Sequence, residues 1–178
     1  MEIQASRIPA RLNPAGLPVP LLEQNRGRWD QLLIRRGFAA LLRAERLGGP
    51  PGPYILQAAI AACHARAQTA ADTDWEQIAM LYQALATVAP SPVVELNRAV
   101  AVAMADSPEQ GLEIIDGLAA EPAMTGYHYL PSVRGDLLTK LGRHDEAARE
   151  FRRAASLTRN VPERTVLLQR AAECDART

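Results

Sequence analysis

The sequence predicts an all-α chain, a superhelix of stacked helix pairs, and three observations predict it. Apolar residues recur at helical spacing in segment after segment from Asn25 to Glu173. Proline, glycine and serine punctuate those segments as helix starts and stops. One order of small and large residues returns at intervals of about 33–36 positions. No segment alternates apolar and polar residues as a half-buried strand would.

Up to about Leu22, Pro9, Pro14, Pro18 and Pro20 with Gly16 predict an extended or turning arm that lies against the body and is not helical. Each proline lacks an amide donor and disfavours helix at the preceding residue. Residues 1–24 are therefore expected to be arm or linker, and residues 25–178 a single helical domain. Within it, Trp29, Leu32, Leu33, Phe38, Leu41 and Leu42 give residues 25–47 a helical period and the role of an N-terminal cap. Gly37 leaves one kinked helix or two short ones open. Gly48-Gly49-Pro50-Pro51-Gly52-Pro53 stops the run.

Ile55, Leu56, Ala59, Ile60 and Cys63 then form one helical face up to Arg66. Thr73 or Asp74 caps the next helix, which carries Trp75, Ile78, Tyr82 and Leu85 and ends before Pro90. Ser91-Pro92 and Ser107-Pro108 repeat one start signal, serine as cap and proline in the first turn. Leu96, Ala99, Val100 and Ala103 follow the first, and Leu112, Ile115 and Leu118 the second. Leu130, Leu137, Leu138 and Leu141 mark a helix that stops at Gly142, and Ala147, Ala148, Phe151 and Ala154 mark its successor. A last helix over residues 162–174, with Val166, Leu167 and Ala171, is expected to cap the far end.

The repeat is clearest from Gly135 to Ala154. Gly135 lets two helices approach, Gly142 ends the first, Ala147 is small at the crossing, Phe151 fills the space between units and Ala154 makes room for the next. Thirty-six positions earlier, Ala99 takes the place of Gly135, Val102 of Leu138, Gly111 of Ala147, Ile115 of Phe151 and Leu118 of Ala154. Tyr82, Leu85 and Pro90 give a weaker third copy. Residues 53–159 thus read as three helix pairs, and Gly135–Ala154 matches the tetratricopeptide pattern.

Two registers depart from that pattern. Arg98 and Arg134 both precede the small residue, where such repeats favour leucine. A partly buried guanidinium needs a carboxylate or carbonyl, and Glu95, Asp116 and Asp136 are the candidates. An internal ion pair is the plainer reading beside a partner contact. Asn97 falls where such repeats often carry a peptide-binding asparagine, but its counterpart is Val133, which argues against a two-carboxylate peptide clamp.

Composition excludes several classes. Hydrophobic residues make up 48% and charged ones 22% with a formal net charge of +0, which fits neither a disordered tail nor a nucleic-acid binder working by bulk charge. The charge is nonetheless patterned: residues 1–50 carry +4, residues 51–148 carry −7 and residues 149–178 carry +3. Such a pattern suits a protein-docking surface. Arg26, Arg28, Arg35, Arg36, Arg43 and Arg46 are the one candidate for phosphate contact, with too few interleaved aromatics for a stacking platform.

Cys63 and Cys174 follow no metal or disulfide spacing, and Cys63 reads as a small core residue. His64 follows Cys63 directly, about 100° around the helix, so the two cannot act as nucleophile and base together. Phosphate loops, metal-ligand spacings and nucleophile elbows are absent from the sequence. No enzyme activity, metal or cofactor is therefore expected, and neither is a membrane span or a secretory signal. A cytoplasmic location follows as the expectation.

Longer blocks add a resemblance. Arg7-Ile8-Pro9-Ala10-Arg11, Leu21-Leu22-Glu23-Gln24-Asn25-Arg26, Trp29-Asp30 and Gly52-Pro53-Tyr54 come first, followed by Leu56-Gln57-Ala58-Ala59-Ile60. Asp72-Thr73-Asp74-Trp75, Pro90-Ser91-Pro92-Val93-Val94, Asn97-Arg98-Ala99-Val100-Ala101 and Gly126-Tyr127-His128 continue in order. Together they resemble the carboxy-terminal tetratricopeptide-like extension of extracytoplasmic-function sigma factors. The resemblance implies a regulatory or supporting module that contacts the parent's sigma domains or core RNA polymerase, with DNA bound only through sigma domains outside this sequence. It also implies a truncated chain, Met1 standing where the parent leaves its last sigma domain. Arg7, Arg11, Asn97, Arg98 and Arg134 are the candidate partner contacts. The alternative is a free-standing adapter that captures a peptide of an unrelated partner.

Overall fold

The computed structural model describes residues 2–177, which form two compact units, Met1–Pro90 and Ser91–Thr178. Among the described residues the regular structure is all helical, with one isolated bridge between Leu12 and Pro18. Among the described residues no helix is long and apolar enough to cross a membrane.

The first unit holds α1 (Glu2–Ala5), α2 (Gln31–Leu47), α3 (Pro53–Arg66) and α4 (Trp75–Val88). Its first residues depart from the expected extended arm. α1 is helical, and short 3-10 turns occupy Ile8–Ala10, Leu21–Glu23 and Arg26–Arg28. Pro9 sits in the first turn of its 3-10 segment, where a missing amide costs nothing. Asn13 closes the intervening loop by accepting from the Ala15 and Leu17 amides at 3.0 and 2.9 Å. The segment does lie against the body, burying Ile3, Ser6, Ala10, Gln24 and Trp29.

α2 is a single helix, capped by Asp30, whose carboxylate accepts from the Leu32 and Leu33 amides. Gly37 is a site of close approach inside it: a Cβ there would collide with Cγ1 of Ile3, so α1 rests directly on the α2 backbone. Gly48 and Gly49 end the helix at φ of 73° and 92°, a region that favours glycine. Asp74, not Thr73, caps α4 by accepting from the Gln77 amide at 2.9 Å.

The second unit holds α5 (Pro92–Ala105), α6 (Pro108–Leu118), α7 (Tyr129–Lys140), α8 (His144–Leu157) and α9 (Val161–Asp175), each packed on its neighbour in sequence. Ser91, Ser107 and Asn160 cap α5, α6 and α9 through their side-chain oxygens. One core runs through this unit, with Ala99, Ile115, Leu138, Ala147 and Ala154 fully buried and Phe151 1% exposed. The small residues sit where backbones meet. A Cβ on Gly111 would lie 2.5 Å from the Ala103 Cβ, and one on Gly135 would lie 2.7 Å from the Phe151 ring. Gly142 ends α7 at a φ of 72°.

Candidate interaction surfaces

In the first unit, the polar residues of the N-terminal segment converge on the end of α3. Arg26 donates Nη1 to the backbone carbonyls of His64 and Ala67, the latter at 2.9 Å, and Nη2 to Oγ1 of Thr73 at 3.0 Å. A helix ends with carbonyls that have no partner within the helix, and a guanidinium fork satisfies two of them while opposing the negative end of the dipole. Arg7 donates Nε to Oε1 of Gln24 at 3.2 Å. Both guanidiniums lie against the Trp29 ring, Arg7 at 5.6 Å and Arg26 at 5.3 Å from its centroid. Arg11 is exposed, reaching the Gln4 carbonyl at 3.4 Å, and its charge bears on Arg7.

His64 lies beneath this cluster, 8% exposed and edge-on to Trp75 at 5.3 Å. Burial, then the charges of Arg7 and Arg26, push its pKa down to about 4. It is a neutral core histidine at neutral pH. Replacing Arg26 by alanine leaves the two carbonyls and the Thr73 hydroxyl without their donor. That is expected to lower the stability of this unit by about 1–3 kcal/mol. Urea unfolding followed by tryptophan fluorescence reads it out, since Trp29 and Trp75 are the chain's two tryptophans and both lie in this unit. An unchanged midpoint would refute this anchoring role of Arg26.

In the second unit, Arg98 and Arg134, which stand 36 positions apart, have different partners. Arg98 bonds Glu95 within α5 at 2.9 Å. Arg134 on α7 reaches Asp116 of α6 at 2.9 Å and Glu150 of α8 at 3.1 Å, tying three helices together. Burial opposes its charge, but the bonds and charge of Asp116, then Glu150, outweigh burial and raise its pKa. Asp136, the third candidate, pairs with Arg170 of α9. Asn97 is exposed on α5 beside Arg98. Arg7 and Arg11 thus share one cluster in the first unit, while Asn97, Arg98 and Arg134 lie in the second.

A further cluster in the second unit was not expected from periodicity. Tyr127, His128 and Tyr129 form an aromatic group, the last two rings 4.1 Å apart at their centroids. His128 Nε2 lies 3.2 Å from Oε2 of Glu163, an oxygen that accepts a hydrogen bond from Oγ1 of Thr158 at 3.0 Å. Burial, then the charge of Glu163, raises the Tyr129 pKa. The available signal was two tyrosines flanking a histidine in a chain that is only 4% aromatic.

Residues 1–45, which include Arg7, Arg11, Arg26 and Trp29, match a family described as a family of unknown function (DUF6596). Over 161 residues, 90% of the chain, the sequence is 45% identical to an uncharacterized protein of Rhizobium meliloti (strain 1021). The chain spans 37% of that relative's length. No solved structure matches.

Proposed function

We propose that the chain is a non-catalytic, tetratricopeptide-like regulatory part of an extracytoplasmic-function sigma factor, working in the cytoplasm through contacts with the parent's sigma domains or core RNA polymerase. The repeat is supported by positions 36 residues apart that share one packing role. Ala99 and Gly135 are the small buried residues of α5 and α7, and Ile115 and Phe151 are the large buried residues of α6 and α8. Stacked helix pairs present continuous surfaces suited to protein recognition. The observation that carries the sigma-factor reading is the run of blocks from Arg7-Ile8-Pro9-Ala10-Arg11 to Gly126-Tyr127-His128, resembling such tails in order along the chain. The length of the relative, of which the chain spans 37%, is consistent with a module of a larger protein.

The test is co-purification of the chain with core polymerase and with isolated sigma domains, together with deletion of residues 53–178 from the parent. Binding to one of them, and lost or deregulated promoter-specific transcription, are the expected results. Wild-type transcription from the truncated parent, with no binding to either partner, would sink the proposal and favour the adapter reading.

A further inference from the structure

The first unit contains an open groove of about 730 Å³ whose floor is α3 and whose walls come from α2 and α4. Phe38 and Leu42 line one side, Ile55, Ala59 and Cys63 the floor, and Leu81 the other side. Most residues of α3 are apolar on every face, as in a helix enclosed on all sides, yet one side of it opens to the groove. Leu42 is 54% and Ile55 38% exposed, so the apolar surface is accessible.

The charged residues of the lining are Glu45 and Arg66, and neither has an ion-pair partner among the described residues. Their places follow from the chain. Residues 48–52 are a short connection, so α3 runs back along α2. Glu45, in the last turn of α2, therefore stands at the turn end of the groove, and Arg66, the last residue of α3, at the opposite end over the Phe38 ring. From Ile55 to Arg66 a helix advances roughly 16 Å, about three turns.

We propose that this groove takes an amphipathic α-helix of about three turns from a partner protein, with its N-terminus at Glu45 and its C-terminus at Arg66. The apolar trough accepts side chains at i, i+3, i+4 and i+7 of such a helix. The carboxylate faces the positive end of the incoming helix dipole and the guanidinium its negative end, which fixes the polarity of docking. A carboxylate in the last turn of the partner helix meets Arg66 directly. The proposal goes beyond the reading above and does not require the parent to be a sigma factor.

The test is selection on the full chain from a displayed library of twelve-residue peptides, apolar at positions 1, 4, 5 and 8 and random elsewhere. The expected result is enrichment of sequences with Asp or Glu in the last turn, and a switch to Lys or Arg when the target is Arg66→Glu. Leu42→Asp, on the exposed wall, weakens a selected peptide at least tenfold, and so does Ala59→Trp, which fills the floor. Circular dichroism and tryptophan fluorescence confirm that each variant is folded, and Leu42→Asp decides if Ala59→Trp is not. Equal enrichment on wild type and Leu42→Asp overturns the proposal. So does a terminal charge preference indifferent to Arg66→Glu. Saturable binding of dodecanoate with no peptide enriched also overturns it, and would make the groove a small-amphiphile site.

Discussion

Replacing Phe151 by alanine is expected to lower the stability of the Ser91–Thr178 unit by about 3–5 kcal/mol, the usual cost of removing a buried aromatic. The ring serves three helices at once. It is carried by α8, fills the space left by Gly135 on α7, and lies 4.4 Å from the guanidinium of Arg170 on α9, which in turn bonds Asp136 on α7. Deleting it opens a cavity and removes the seat of a cation–π contact. Far-UV circular dichroism through a urea titration is the appropriate measurement, because this unit has no tryptophan. A second substitution sharpens the test. Gly135→Ala alone forces a Cβ to within 2.7 Å of the ring and is expected to destabilise. The three atoms nearest that Cβ all belong to Phe151, so in the Phe151→Ala background the same change has room and gains up to about 1 kcal/mol of helix propensity. A cycle in which Gly135→Ala keeps its sign in both backgrounds would show that the ring is not what keeps position 135 small.

That pair also shows what was legible in the sequence. Gly135 and Phe151 stand out because two packed helices need a small residue where a large one is seated, and the spacing of such a pair along the chain is short. The same holds for the caps: Ser91, Ser107 and Asp74 bond amides two or three residues away, as a reader of the chain expects. Legibility fails where partners are far apart. Gly37 looks like a helix breaker until Ile3, thirty-four positions earlier, is seen resting on it. Arg26 reads as one of a surface series, yet its bonds span 38, 41 and 47 residues. Prolines predicted an extended arm because they forbid interior helix, but they leave first turns and 3-10 segments free, which is what the chain uses. Of the three candidate carboxylates, Glu95 and Asp116 do meet Arg98 and Arg134, whereas Asp136 pairs with Arg170. Glu150 was missed, although its place just before Phe151 on α8 brings it to the α7 side chain.

Acidification is expected to destabilise the Met1–Pro90 unit through His64. In the folded chain its pKa is about 4, against 6.5 for an unburied imidazole. Above the unfolded value both states are neutral and the contribution is constant. Between about 6.5 and 4 the unfolded chain takes up a proton that the folded chain refuses, so stability falls with falling pH. The loss amounts to about 3 kcal/mol in all and levels off below the folded pKa. Carboxylates titrate in the same range, so the informative quantity is the difference between wild type and His64→Phe, which keeps a ring edge-on to Trp75 and cannot be protonated. That difference should be flat above pH 7 and grow steadily toward pH 4 in the tryptophan-monitored unfolding midpoint. Parallel curves would mean that His64 is hydrated or paired in the folded state. Arg7→Gln separates the causes: burial is untouched, but one of the two repelling charges is gone, so the folded pKa rises and the loss levels off at a higher pH. A profile unmoved by Arg7→Gln would assign the whole depression to burial and to Arg26, the guanidinium held against the His64 carbonyl.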